Sequence, residues 1–349
     1  MLVTTTYRNR RAVSVENRHV RVTVLEGGGH IAEILDKDSG VNPLWSPIWP
    51  SIEPAAFGPS HYAVFGREAD GPLLASIMGH SLCLDIFGGP SDEEARTGLT
   101  AHGEAPVVAY SIEAEGDALV MRADLPLAQL RLERRIVLLE RAVSIRETVE
   151  NLSACDRPVG WTQHVTLGPP FLARGTTEFR TSATQSRVFE SRFGDHDYLA
   201  AAADFDWPFA PGIDGSTIDR RVFTAAPHSS AYTAHLLDPN QEDGFFVAYS
   251  PESRLAFGYV WKRRDFPWLV IWEESASRTA SPWNGASLTC GMEFGVSPFP
   301  ESRRQMIDRG RLFGTPTYRW LPARSAVTVE YWVLSQCADA VPEMLAWPE

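Results

Sequence analysis

Little in this 349-residue chain announces a metal, a membrane or a polyanionic partner. Its four cysteines, Cys83, Cys155, Cys290 and Cys337, lie far apart, with no C-x-x-C spacing and no paired-histidine pattern. That arrangement argues against both a zinc cluster and a disulfide framework and leads us to expect four reduced, mostly buried thiols and no bound metal. No stretch approaches the roughly 20 apolar residues that a spanning helix needs. Arg8, Arg10 and Arg11 near the start are followed by no apolar run of signal-peptide length, so a cytoplasmic location with no membrane partner is expected. Positive charge is also in short supply. With 44 acidic against 32 basic residues the formal charge is −12, and such a field repels a nucleic acid. A small, neutral or weakly charged partner fits better.

Helical periodicity is almost missing, and the one helix expected is Glu301 to Arg311, behind Pro300. No long linker, low-complexity tract or internal repeat divides the chain, so residues 1–349 read as a single domain. Period-two alternation, by contrast, recurs. Val20, Val22 and Val24 alternate with Arg21 and Thr23, and Leu132, Ile136 and Leu138 with Arg131, Glu133 and Arg135. From Ala142 to Asn151 the residues Val143, Ile145 and Val149 face one way and Ser144, Arg146, Thr148 and Glu150 the other. Ala326 to Ser335 forms a further strand candidate. Turn-forming clusters at Gly27 to Gly29, Gly88 to Asp92, Pro211 to Ser216 and Pro298 to Ser302 separate the runs. These features predict an all-β fold of stacked antiparallel sheets.

Most of the polar motifs need no function to explain them. His19, His30, His61, His80, His228 and His235 read as satisfied polar residues, Asp195-His196-Asp197 as a solvated loop, and Lys262-Arg263-Arg264 as an exposed turn. Gly27 to Gly29 lacks the helix and lysine of a phosphate loop and reads as a hairpin turn.

Four segments, taken in order, resemble the aldose 1-epimerase family. Glu16 to Ile34 (ENRHVRVTVLEGGGHIAEI) is similar to its opening hairpin, and Ala101 to Ala105 (AHGEA) carries a His102-Gly103 like that of its substrate loop. Glu147 to Phe171 (ETVENLSACDRPVGWTQHVTLGPPF) resembles the strand, turn and strand that deliver the family's acid histidine, here His164. Gly291 to Pro300 (GMEFGVSPFP) resembles the late segment in which a glutamate precedes Phe-Pro, here Glu293. The resemblance implies a galactose mutarotase-like antiparallel β-supersandwich, an open cleft for a sugar, and no cofactor. It also implies Glu293 as base and His164 as acid, with His102 orienting the substrate. The arginine and tryptophan that usually follow the His-Gly are replaced here by Glu104, Ala105 and Pro106, which marks a divergent branch and leaves the sugar unspecified.

These residue types suit anomer interconversion, in which the anomeric hydroxyl loses a proton as the ring oxygen gains one. Ordinary values of about 4.3 for Glu and 6.5 for His bracket the useful range. Among eleven tryptophans, Trp272 and Trp283 are expected to stack on the sugar, because strand alternation turns Trp161 away from His164. Two alternatives stay open: a non-catalytic carbohydrate sensor, and an epimerase or lyase acting on a phosphorylated or acidic sugar. Arg174, Arg278 and Arg303 are the arginines available to the latter. A monomer or homodimer is expected.

Overall fold

A computed structural model describes residues 2–348. Among the described residues, twelve antiparallel strands form one sheet and eight a second, with the main apolar core between them. The expected alternation becomes strands at Val20–Leu25, Leu130–Leu139, Ala142–Asn151 and Ala326–Cys337. The opening hairpin pairs Val20–Leu25 with Ile31–Asp36, and Gly28 and Gly29 turn it with positive φ. The helix expected behind Pro300 runs from Arg303 to Arg309, its start fixed by Gln305 accepting the Ser302 N–H at 3.1 Å.

Three short helices were not anticipated, at Tyr62–Phe65, Gly71–Ser76 and Asp92–Arg96. Each is too short to show a helical period, although Ser91 and Glu94 cap the third reciprocally. The cysteine expectation also needs correcting. Cys83 and Cys290 are buried, but Cys155 and Cys337 are exposed, because they lie in a surface turn and at a strand end. No helix among the described residues is long and apolar enough to cross a membrane.

At the centre of the larger sheet, Arg157–Leu167 pairs with His80–Asp85 on one side and Leu288–Gly295 on the other. The next strands are Trp268–Ser275 and Ser229–Leu237. Alternation divides the side chains of Arg157–Leu167 between two faces. Trp161, Gln163 and Val165 face the smaller sheet, whereas Thr162, His164 and Thr166 face outward. The outward face is not left wet. Segments running over it bury a second cluster that includes Trp45, Trp49, Phe87, Trp268, Trp272 and Trp283.

Two charges interrupt the apolar alternation and end up between the sheets. Arg134 and Glu147 stand directly opposite in the register of their strands, pair at 2.7 Å and are fully buried. Glu147 also accepts hydrogen bonds from Trp161 Nε1 (3.0 Å), Gln163 Nε2 (2.6 Å) and Tyr331 Oη (2.9 Å). Gln163 Oε1 in turn meets His80 Nε2 at 2.9 Å. The smaller sheet thus grips Trp161 and Gln163, two inward residues on the N-terminal side of His164.

Removing one partner of a buried pair strands the other charge, so Glu147→Ala is expected to lower unfolding free energy by about 3–5 kcal/mol. Arg131→Ala, at an exposed pair, is expected to cost under about 1 kcal/mol. Urea denaturation of the two variants checks this, and equal small losses would contradict it.

Candidate active site

The register that pairs Thr162 with Gly295 and Thr166 with Gly291 sets His164 across from Glu293. Opposed residues of an antiparallel pair share a face, so both side chains rise from the outward side of the sheet. His164 Nε2 lies 3.3 Å from Glu293 Oε1, and the side chains are only 6% and 2% exposed. His164 Nδ1 meets Thr166 Oγ1 at 3.1 Å, which orients the ring.

Glycine makes room for the carboxyl. A Cβ on Gly291 would stand 2.3 Å from Glu293 Oε1, a separation no side chain tolerates. His102 arrives from a loop tied down by Leu84 N–H donating to His102 O at 3.1 Å and His102 N–H donating to Gly88 O at 3.0 Å. Its ring centroid is 4.9 Å from that of His164. Gly103 has φ +80° and packs so closely that a Cβ would meet Leu84 O at 2.0 Å, which explains the His-Gly sequence.

These groups line a hollow of about 250 Å³. Trp272 and Trp283 line it as well, but their faces are partly taken. Trp45 stacks on Trp283 at 6.1 Å and 11°, and the Arg278 guanidinium carbon sits 5.2 Å from both Trp272 and Trp283. All five residues singled out from the sequence therefore surround one space. Trp161 lies on the opposite face, bound to Glu147.

Arg278, one of the three arginines considered for an acidic sugar, also lines the hollow, as do Tyr232 and Asp70, which sequence reasoning did not place there. Tyr232 sits on a strand, but only the sheet pairing sets it beside Trp272, and Asp70 sits in an irregular segment without a pattern. Arg278 pairs with Glu274 at 3.0 Å and donates to Phe193 O at 3.0 Å. Arg303 and Arg174 do not line it. Arg303 is held by Asp85 and Glu94, and Arg174 by Ser275 Oγ. Glu104, next to the His-Gly, turns its carboxylate away to accept N–H groups of Leu127 and Ala128.

Three buried polar atoms at this hollow, His102 Nδ1, Trp272 Nε1 and Tyr232 Oη, have no hydrogen-bond partner among the described residues. Buried polar groups are normally satisfied, so a cluster of three marks a place where a polar ligand gains hydrogen bonds. Of the histidines expected to be plain polar residues, His80 and His235 are bonded through both ring nitrogens. His30 is bonded through Nε2 alone, to Pro106 O. The Asp195 to Asp197 segment is a fastening, with Asp197 accepting the N–H groups of Phe193 and Gly194 and Asp195 accepting that of Thr279.

Burial governs the charges of the central pair. It pushes the Glu293 carboxyl well above the usual carboxylate range and the His164 imidazole down to about 4. Burial therefore disfavours the charged form of each partner.

No family model and no curated protein matches the sequence. Solved structures do. A Klebsiella pneumoniae protein provisionally named an aldose 1-epimerase is 12% identical with a TM-score of 0.67, over 97% of this chain and 83% of that one. A galactose mutarotase-like protein from Clostridium acetobutylicum is 12% identical with a TM-score of 0.63, over 97% and 98%. Another from Lactobacillus casei is 13% identical with a TM-score of 0.60, over 93% and 100%. The chain has the galactose mutarotase-like β-sandwich fold.

A histidine held low by burial leaves the unfolded chain to take up the proton first. Its contribution to stability is therefore whole above the ordinary value of 6.5 and is lost as pH falls from there through about 4. Denaturant unfolding at pH 7 and pH 5 is expected to show a smaller loss for His164→Asn than for the wild type, and identical losses would contradict the assignment.

Proposed function

We propose that this protein interconverts the anomers of a reducing sugar, with His164 and Glu293 moving the protons. The observation that carries the proposal is one imidazole and one carboxyl, both buried and 3.3 Å apart, at a hollow with three unpartnered polar atoms. The fold supports it, since proteins of this architecture carry mutarotase and aldose 1-epimerase names.

In the resting site the pair is neutral. Passing the proton from Glu293 to His164 Nε2 creates a carboxylate base and an imidazolium acid. Glu293 then takes the proton of the anomeric hydroxyl, the C1–O5 bond breaks as C1 becomes an aldehyde, and O5 takes the proton from His164. The pair is neutral again with the ring open. Rotation about C1–C2 presents the other face of the aldehyde, and the same steps in reverse close the ring to the other anomer. No external oxidant, reductant or cofactor enters the balance. His102 Nδ1, Tyr232 Oη and Trp272 Nε1 bind hydroxyls and fix the ring, and the Trp272 and Trp283 side chains supply apolar wall.

Arg278 favours a second reading, in which the substrate is an acidic or phosphorylated sugar. It is the single arginine or lysine among the described residues lining the hollow, yet Glu274 already balances its charge. That balance weights the proposal toward a neutral sugar.

Polarimetry across a panel of aldoses tests both readings. Glu293→Gln and His164→Asn are each expected to slow catalysed mutarotation by about 100 to 10,000-fold with the melting temperature maintained. Gly291→Ala is expected to slow it as well, by displacing the carboxyl. Near wild-type rates in either of the first two variants would rule out the proton-transfer roles. A preference for uronic acids or sugar phosphates that disappears in Arg278→Gln would establish the second reading. Calorimetric binding without turnover would point instead to a sugar sensor.

A further inference from the structure

Phe193 and Tyr232 belong to two hollows at once. One is the space in front of His164 and Glu293, and the other, of about 470 Å³, is lined by Val188, Phe189, Leu199 and Ile213 together with the same two rings. We propose that this outer hollow is a second saccharide subsite, so that the substrate class is a reducing disaccharide or longer oligosaccharide whose reducing end occupies the inner one. The inference rests on the function proposed above, and its test is chosen so that the two can fail separately.

Strand spacing makes the distance suitable. Glu293 lies on Leu288–Gly295, Trp272 on the next strand and Tyr232 on the one after, paired Gly291 to Trp272 and Trp272 to Tyr232. Two strand spacings are about 10 Å, comparable to the length of a disaccharide, and Tyr232 at the end of that span lines both hollows. The surface is also of the right kind. Phe189, Phe193 and Tyr232 form an aromatic corner, with Phe193 and Tyr232 centroids 4.5 Å apart and Phe189 at 5.6 Å and 90° to Phe193. Exposed Arg192 and His196 supply hydrogen-bonding groups at the rim. Ile213, 69% exposed at the lip, offers an apolar surface to the C–H face of a sugar. A mostly apolar wall with a few polar groups is the usual make-up of a ligand pocket.

The wall is held in shape before any ligand arrives. Asp197 accepts the N–H groups of Phe193 and Gly194 and the hydroxyl of Ser230, and the Phe193 carbonyl accepts from Arg278. Chemistry then restricts the linkage. Ring opening at the inner hollow requires a free hemiacetal there, so the second sugar must be attached through another hydroxyl of the reducing ring.

The test compares kcat/KM for mutarotation of glucose and galactose with that of cellobiose, maltose and lactose, in the wild type, Ile213→Arg and Arg192→Ala. Ile213 and Arg192 are exposed and lie outside the inner hollow. At least one disaccharide is expected to exceed its monosaccharide by about tenfold, and Ile213→Arg is expected to erase that advantage while leaving glucose constants unchanged. Disaccharides turned over no better than monosaccharides, or an advantage untouched by Ile213→Arg, would overturn the subsite. Should no sugar be turned over, the proposed function fails, and calorimetry decides the subsite on its own. Cellobiose, maltose or lactose binding about tenfold tighter than glucose, and weakened by Ile213→Arg, would sustain it. Equal affinities or no heat would overturn it.

Discussion

Everything at the candidate site depends on one antiparallel register, that between Arg157–Leu167 and Leu288–Gly295. A slip of a single residue would turn His164 or Glu293 into the core, because side chains alternate faces along a strand. The register is defended from the other side of the sheet. Trp161 and Gln163, successive inward residues just before His164, are hydrogen-bonded to Glu147, which Arg134 neutralises. A buried ion pair contributes little net stability compared with an apolar replacement, and this one ties inward residues of both sheets together. The buried clamp and the outward pair are two consequences of the same alternation.

Desolvation is the second determinant. The segments that cover the outer face of the larger sheet remove His164 and Glu293 from water, and the free energy of holding charge there favours the neutral forms of both. A pair sharing one proton is suited to a reaction that needs a proton removed at one oxygen and delivered at another. The same covering leaves His102 Nδ1, Tyr232 Oη and Trp272 Nε1 unpartnered in the protein, so hydroxyl groups entering the hollow replace bonds that burial removed. Arg278 sits among aromatic rings with Glu274 at its side, where it acts as a hydrogen-bonding wall more than as an unopposed positive charge.

Much of the scaffold was legible in the amino-acid pattern, because period-two alternation is a direct imprint of a two-faced strand. The run Ala142–Asn151 emerges with the boundaries expected of it, and the helix behind Pro300 lies inside its expected span. The residues that break the alternation carried the information that was harder to use. Arg134 and Glu147 occupy inward positions, and only the sheet pairing shows that they face each other. His164 and Glu293, 129 positions apart in the chain, were singled out through a family resemblance, and neither spacing nor composition reports their adjacency. Arg278 and the wall of the outer hollow at residues 191–197 come from irregular segments whose course follows tertiary packing. The short helices escaped for a similar reason, since four to six residues hold too little of a helical period to register.

The most direct examination of the central claim is a crystal structure of the protein soaked with a reducing sugar. The anomeric hydroxyl and the ring oxygen are expected to lie about 2.6–3.2 Å from the Glu293 carboxyl and His164 Nε2, with other hydroxyls meeting Tyr232 Oη and His102. A sugar bound with neither oxygen facing this pair, or bound only elsewhere on the molecule, would contradict the account.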